Sequence, residues 1–504
     1  MKWPVVWTVR AALVGLAAWS AWTRWRLLGA SPFPVGIDGY FYAIQEKALL
    51  AHGHLAYPAS PLAFWLLAPF AAALGPIAGV KLGAAVLGGL SVVPAYGVGA
   101  RLGGSRGAGL VAAAVCAVAP GSLYLSVEFV KNGIGLGVAL AAIWLGLRAI
   151  DRTSASPFGD AAPSGKAGRC EPPSRGRIVA AVLAFAAAVA THKMAGGLAA
   201  LILAPAWIVA ARRRWLVAGG LAAAALVVLA IGLFAPHRVL SFDDAPLAGG
   251  LFSAHLAWSA PVLDGLPLGY AALLGGLGAL AVVALGTRAP RDPVAAAALA
   301  VLALAIFLAL PILDIDDRQG LAFRLRIAAF VPAALVGAIL VGRIARVVPA
   351  RLAAARAIAA GAIAAAVFAI GAATTGDLAP GEITVHPAMV TAAAALRIPP
   401  GDTAVLSERQ VAFLVAWTTG APVSLHPEAV PRERRVRVIT RAFIGDQSHL
   451  YAALVRAREL PEPPVGVHPL DANGLVLVPE AAWDWCLAQL PPDERAAYAG
   501  WPVR

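Results

Sequence analysis

Four groups of ionisable residues interrupt an otherwise apolar chain, and their side chains are of the kinds that move protons or hold anions. The first is Asp38, within Gly36-Ile37-Asp38-Gly39-Tyr40-Phe41-Tyr42, a carboxylate set in front of a short helix. The second is Glu128-Phe129-Val130-Lys131-Asn132 and the third His192-Lys193. The fourth is Asp314–Arg326, with Asp314, Asp316, Asp317, Arg324 and Arg326. A carboxylate within reach of a hydroxyl can act as a general base, and two of them can hold a divalent ion through oxygen. Lys and Arg supply positive charge, and Arg adds a planar fork that matches phosphate and carboxylate. Each group also has a plain structural role open to it. Asp favours the helix N-cap position, although Phe41 leaves the reciprocal capping box after Asp38 incomplete. Glu128 and Lys131 stand at i, i+3 and can pair with each other. His192 can be the polar tip of a turn, and Asp314–Asp317 a solvated loop. Arg324 and Arg326 can snorkel toward headgroups or meet a lipid phosphate.

These residues are positioned by a chain built for a membrane. Of 504 residues 60% are hydrophobic and 13% charged, with mean hydropathy +0.77. Soluble domains carry about 25% charged residues, so the composition predicts a polytopic α-helical membrane protein. The net charge of +13 is a loop and headgroup signal in such a protein and does not point to nucleic acid. Apolar stretches separated by Arg-rich turns predict about eleven transmembrane helices. The amino terminus lies inside and the carboxyl terminus outside. The first span is Pro4–Trp22. External loop 1 covers about 24–76 and holds juxtamembrane helices, with Pro61–Gly75 too short to span. The basic, Pro/Gly/Ser-rich segment 151–177 is a cytoplasmic linker. Arg101 and Arg106, Arg212–Arg214, Arg288 and Arg291, and Arg343–Arg356 all fall on the same inner side. The four ionisable groups all fall on the opposite, external side, where cations are depleted, so Lys193 implies an anionic partner. In the helix after Asp38, Ile37, Phe41, Ile44 and Ala48 recur at helical spacing, and Gln45, Glu46 and Lys47 are expected on its wet side.

The composition changes after Thr374. The transmembrane domain is thus expected over 1–374 and a small external α/β domain over 375–504. Strands are predicted at Thr403–Ser407, Pro422–Leu425, Arg435–Thr440, Val465–Val467 and Gly474–Val478. Helices are predicted at Glu408–Thr418, His449–Glu459 and Ala481–Leu490. The basic run Arg432–Arg441 reads as an exposed strand face. Cys116, Cys170 and Cys486 share no compartment in this topology, so neither a disulfide framework nor a thiolate metal site is expected.

On these residues the chain resembles the GT-C superfamily of polytopic glycosyltransferases. That group includes protein O-mannosyltransferases, the lipid A aminoarabinose transferase and the catalytic subunit of oligosaccharyltransferase. Ile37-Asp38-Gly39-Tyr40-Phe41-Tyr42 is similar to the acidic first-loop motif of these families. Tyr57-Pro58-Ala59-Ser60-Pro61-Leu62, followed by Phe64-Trp65, resembles their Pro-rich entry into a short apolar helix. Thr191-His192-Lys193-Met194-Ala195-Gly196 resembles a hairpin-tip segment of bacterial members. Arg324-Leu325-Arg326 with Pro332 resembles the start of a late span. Two departures stand out: Gly39 where many members carry a second acid, and a lone Glu128 where the oligosaccharyltransferase loop has paired acids.

The resemblance implies transfer of a sugar from a polyprenyl-phosphate donor to a lipid, glycan or protein acceptor on the external face. Asp38 would be the base. Glu128 would orient the acceptor or share a divalent cation, Mg or Mn, with Asp38, and no other cofactor is implied. Lys193, His192, Arg324 and Arg326 would take the lipid phosphate, while Tyr40, Tyr42, Lys131 and Asn132 would position the acceptor. Alanine-, glycine- and arginine-rich composition suggests a bacterial inner membrane, with the active site and tail domain facing the periplasm. A multi-pass transporter or lipid flippase is the alternative, using the same residues as a substrate pathway. Transporters commonly place polar groups at the bilayer midplane and carry internal repeats, and no repeat is visible here. A noncatalytic scaffold for the tail domain would leave Asp38 and Lys193 unexplained.

Overall fold

A computed structural model describes residues 3–150, 175–211, 214–234, 292–309, 321–347, 352–376, 387–398, 404–407, 409–424, 430–440 and 475–499, with isolated residues between them. Asp314, Asp316, Asp317, most of the 151–177 linker, the span expected near 268–285, the strand at 465–467, Cys170 and Arg441 lie outside the described residues. So does most of the helix expected at 449–459.

Helices account for most of what is described. They are α1 (Trp3–Leu28), α2 (Gly39–His52), α3 (Leu62–Leu74), α4 (Pro76–Leu90), α5 (Val92–Gly103), α6 (Arg106–Val118) and α7 (Pro120–Glu128). Next come α8 (Val130–Ile150), α9 (Arg175–Thr191), α10 (Lys193–Ala210), α11 (Arg214–Phe234) and α12 (Pro293–Ala309). They continue with α13 (Leu321–Ile327), α14 (Phe330–Val347), α15 (Ala353–Gly376) and α16 (Pro387–Ala395). The carboxyl-terminal part adds β1 (Ala404–Leu406), α17 (Arg409–Thr419), β2 (Arg435–Thr440), β3 (Leu475–Pro479), α18 (Glu480–Ala488) and α19 (Pro492–Ala499).

The chain divides into two compact units. One comprises Met1–Gly29, Tyr57–Ala73 and Lys81–Ala379; the other comprises Ala30–Ala56, Leu74–Val80 and Pro380–Arg504. The loop that carries Asp38 therefore folds with the carboxyl-terminal segment.

The first unit is a helical bundle. Five helical stretches among the described residues are long and apolar enough to cross a membrane, or six if the bent pair Arg106–Val118 and Pro120–Glu128 counts as one. The segment Leu62–Leu74, expected to be too short to span, is a 13-residue apolar helix with Pro69 inside it. Small residues let these helices approach closely, which is how apolar helices associate without a hydrophobic drive from water. A Cβ on Gly342 of α14 would lie 1.9 Å from the Gly103 carbonyl oxygen, and one on Gly103 would lie 2.4 Å from the Ala338 carbonyl oxygen. The core is built from alanine and branched aliphatics of α5, α6, α8, α10, α12 and α14. Arg24 is the most deeply buried of the charged side chains described in this unit. Arg24 near the end of α1 donates from Nε to Ser126 Oγ (2.9 Å), from Nη1 to Ser20 and from Nη2 to Ser122 Oγ (2.5 Å). It lines a small cavity with Gly88, Ser91, Gly133 and Phe330.

The second unit holds a three-stranded sheet of order β1-β2-β3, with β1 parallel to β2 and β2 antiparallel to β3. Ser407, just past β1, donates to the Val438 carbonyl (2.6 Å). The segment expected as a strand at Pro422–Leu425 makes a single parallel bridge, Val405 with Val423. Within the basic run, Arg432 and Arg434 are exposed as expected, and Arg432 pairs with Asp484. Arg437 instead turns inward, with its guanidinium 5.1 Å from the Trp483 ring centroid.

Candidate active site

The turn that presents Asp38 is shaped by two glycines. Gly36 adopts φ 81°, a left-handed conformation available to glycine at little cost. The Gly39 amide donates back to the Gly36 carbonyl (3.2 Å). A Cβ on Gly39 would sit 2.7 Å from Pro34 Cβ and 3.0 Å from the Pro34 carbonyl carbon, so the turn closes only around glycine. Asp38 then stands at the N-cap of α2, but its side chain makes no capping hydrogen bond. The cap uses its backbone, with Tyr42 N donating to Asp38 O (3.1 Å).

The Asp38 carboxylate faces α17 instead. Arg409 donates through Nε to Asp38 Oδ1, and the two side chains are 31% and 11% exposed. Stacking holds the guanidinium in place: it lies 5.7 Å from the Phe41 ring centroid and 5.9 Å from that of Phe413. Around this pair, α2 and α17 interlock. Phe41 and Phe413 have centroids 5.1 Å apart, Tyr40 and Trp417 6.3 Å, and Lys47 Nζ stands 5.2 Å from the Trp417 ring. Gln410 Nε2 reaches the Gly36 carbonyl at 3.4 Å.

The wet side expected for α2 is only partly wet. Lys47 is exposed, while Gln45 and Glu46 are fully buried; α17 meets α2 on its Tyr40, Phe41 and Lys47 side. Tyr40 and Tyr42 are buried as well. Burial pushes the Tyr40 phenol up to about 12 and the Glu46 carboxyl up to about 8.

The other sequence-predicted residues belong to the first unit. Glu128 ends α7 and is buried; Phe129 breaks the helix at φ −133°, ψ 61°, and α8 starts at Val130. Lys131 lies 5.9 Å from the Phe64 ring centroid. Asn132 is buried, and its Nδ2 has no hydrogen-bond partner among the described residues. His192 sits in the turn between α9 and α10. Its Nδ1 accepts from Met194 N (3.2 Å), so the ring caps α10 and carries any neutral-state proton on Nε2. Burial, and then the positive charges of Lys131, Arg324 and Lys193, hold this imidazole well below its usual range and keep it neutral. Those three cations thus share one neighbourhood around an uncharged ring. Arg324 is steadied over Phe129, 4.7 Å from the ring centroid. Arg326 points elsewhere: it is buried and donates to the Leu308 carbonyl, which makes it a bundle-locking residue.

Sequence reasoning did not single out Arg409 or Arg24. For Arg409 the available signal was local: the polar run Ser407-Glu408-Arg409-Gln410 between an apolar strand and an apolar helix. Its pairing with a residue 371 positions away leaves no trace in periodicity.

No group of three His, Cys, Asp or Glu side chains among the described residues is placed to hold a metal ion. The one carboxylate oxygen of Asp38 that meets a partner meets a guanidinium. Neither Asp38 nor Glu128 belongs to such a group among the described residues.

No protein-family model matches the chain, and no curated protein matches it by sequence. Solved structures do. The apo crystal structure of the oligosaccharyltransferase from Archaeoglobus fulgidus aligns over 89% of this chain and 71% of its own, with TM-score 0.57 and 14% identity. The archaeal oligosaccharyltransferase AglB from Archaeoglobus fulgidus, in complex with an inhibitory peptide and a dolichol-phosphate, aligns over 84% of this chain and 65% of its own (TM-score 0.52, 13% identity). The complex of the Archaeoglobus fulgidus oligosaccharyltransferase with Zn and sulfate aligns over 82% of this chain and 62% of its own (TM-score 0.51, 16% identity). The chain thus shares the fold of these archaeal oligosaccharyltransferase structures.

Proposed function

We propose that this chain is an integral-membrane glycosyltransferase. It moves a sugar from a polyprenyl-phosphate carrier to an acceptor hydroxyl or amide on the external face, which in a bacterial inner membrane is the periplasmic side. The observation that carries the reading is the Asp38 carboxylate. It stands at a helix N-cap yet does not cap, and a glycine-dependent turn holds it against a stacked guanidinium. Of its two oxygens, Oδ1 meets Arg409, and Oδ2 has no partner among the described residues. An oxygen in that state is suited to accept a proton.

The reaction balances simply. The acceptor X–H gives its proton to Asp38 Oδ2 as X bonds to the anomeric carbon. The bond from that carbon to the phosphate oxygen breaks, and the electron pair leaves with polyprenyl phosphate. The departing phosphate is already a good leaving group, so positive charge rather than a proton is what must meet it. Lys131, Lys193 and Arg324 are the proposed ligands, and neutral His192 orders their neighbourhood through its cap on α10. No step is routed through a metal. Glu128, buried at the α7–α8 break three residues before Lys131, is the proposed acceptor-orienting carboxylate.

Asp38→Asn tests the assignment. Vesicles carrying the full chain are supplied with a labelled polyprenyl-phosphate sugar and envelope acceptors. The variant is expected to insert normally and to lose transfer by about a hundredfold or more, the range of a missing general base. Transfer at the wild-type rate would refute the role of Asp38.

A further inference from the structure

We infer that Arg409 is the acceptor-selecting residue of the proposed transferase. Its terminal guanidinium nitrogens receive an anionic group, carboxylate or phosphate, carried by the acceptor beside the atom that Asp38 deprotonates. The inference rests on the transferase reading above and names the acceptor class that the same site would take.

The pair joins Asp38 and Arg409 through one arm only. Arg409 uses Nε toward Asp38 Oδ1, and neither Nη1 nor Nη2 makes a hydrogen bond among the described residues. An arginine recruited solely to hold a carboxylate commonly presents two parallel donors to it. Here the side-on approach leaves the fork open, and the side chain is 31% exposed. The group is also preorganised. Phe41 and Phe413 lie beside the guanidinium at 5.7 and 5.9 Å, contacts that favour its present position before any ligand arrives.

Which reactant the fork faces follows from the proposed base. Asp38 takes its proton from the attacking atom of the acceptor. A cation hydrogen-bonded to Asp38 therefore stands beside that atom. The group it receives belongs to the acceptor, and the donor phosphate is left to other cations.

The test uses vesicles of the full chain, a radiolabelled polyprenyl-phosphate hexose and acceptors extracted from the envelope of the same cells. Donor and acceptor concentrations are varied separately. Arg409→Gln is expected to raise the acceptor KM about tenfold to a hundredfold, the loss typical of a charge-assisted pair, while donor KM stays within about twofold. Arg409→Lys should recover part of the loss, because it restores charge without the fork. The labelled wild-type product should bind an anion exchanger, and phosphatase treatment should release it if the group is a phosphate monoester but not if it is a carboxylate. A neutral product, or a rise in donor KM alone, would overturn the inference, as would unchanged kinetics in Arg409→Gln. If Asp38→Asn is inactive while Arg409→Gln matches wild type, only this inference fails. Full activity in Asp38→Asn removes the transferase reading as well.

Discussion

Glu46 gives the second unit a pH dependence that can be calculated and measured. The side chain is 0% exposed within α2, and neither carboxyl oxygen has a hydrogen-bond partner among the described residues. Burial raises it from its ordinary 4.5 to about 8, so the folded state holds the neutral acid through neutral pH. In the unfolded chain the same group ionises near 4.5. Between these two values the unfolded state releases a proton that the folded state keeps, so stability falls as pH rises. The contribution is fully present below pH 4.5 and is lost by about pH 8. Each pH unit is worth 1.36 kcal/mol, which gives a loss of at most about 3 kcal/mol by pH 7 and about 5 kcal/mol by pH 8. Glu46→Gln removes the ionisation and keeps the shape, at a pH-independent cost of about 1–3 kcal/mol for the extra buried N–H. Thermal unfolding of the full chain in detergent, followed by tryptophan fluorescence from pH 5 to 8, isolates the effect as the difference between the two proteins. Wild type should lose on the order of 10 °C relative to Glu46→Gln across that range. Parallel curves would refute the reasoning, because they would mean that Glu46 is ionised in the fold and has a partner.

Three further substitutions probe the packing. Gly342→Ala puts a methyl group against the Gly103 carbonyl at 1.9 Å and must push α14 off α5; a stability loss of about 1–3 kcal/mol is expected, read from melting in detergent. Gly39→Ala drives a Cβ into Pro34 and rotates the turn that aims Asp38; transfer should fall by at least about tenfold with insertion unchanged. Arg24→Ala removes donors from Ser20, Ser122 and Ser126 and opens a hole in the bundle, which should cost about 2–5 kcal/mol; wild-type melting would show that the bundle does not depend on this network.

What was legible in the sequence follows from the range of each signal. Apolar runs report the spans because burial in lipid acts on every residue of a helix. The runs at Thr403–Ser407, Arg435–Thr440 and Gly474–Val478 show up as strands because a buried sheet needs β-branched residues in short stretches. Asp38 stood out because a carboxylate is costly beside a membrane. Glu46 was misplaced because a polar residue on one helix reads as solvated until its surroundings in the fold are known, and there it is fully buried. Arg24 lies in a stretch that reads as the start of the external loop, yet α1 runs on to Leu28 and buries it. Three serines on two helices receive that guanidinium, a constellation with no fixed spacing. Arg409 was hidden for the same reason, since its meaning comes from a contact rather than a motif.

The contact between α2 and α17 also decides how far Asp38→Asn can be trusted as a chemical test. If the ion pair held the two helices together, the variant would lose activity by unfolding and would say nothing about a base. The geometry argues otherwise. A pair whose arginine is 31% exposed contributes about 0–1 kcal/mol. The rings of Phe41 and Phe413, 5.1 Å apart, and the Tyr40–Trp417 contact bury far more surface and need no charge. Arg409 also lies against both phenylalanines, contacts that do not require the charge of Asp38. Asp38→Asn should therefore melt within about 1 kcal/mol of wild type, while Phe413→Ala, which empties a buried site, should cost about 3–5 kcal/mol. Equal destabilisation by the two variants would make the ion pair structural and remove the ground for calling Asp38 a base.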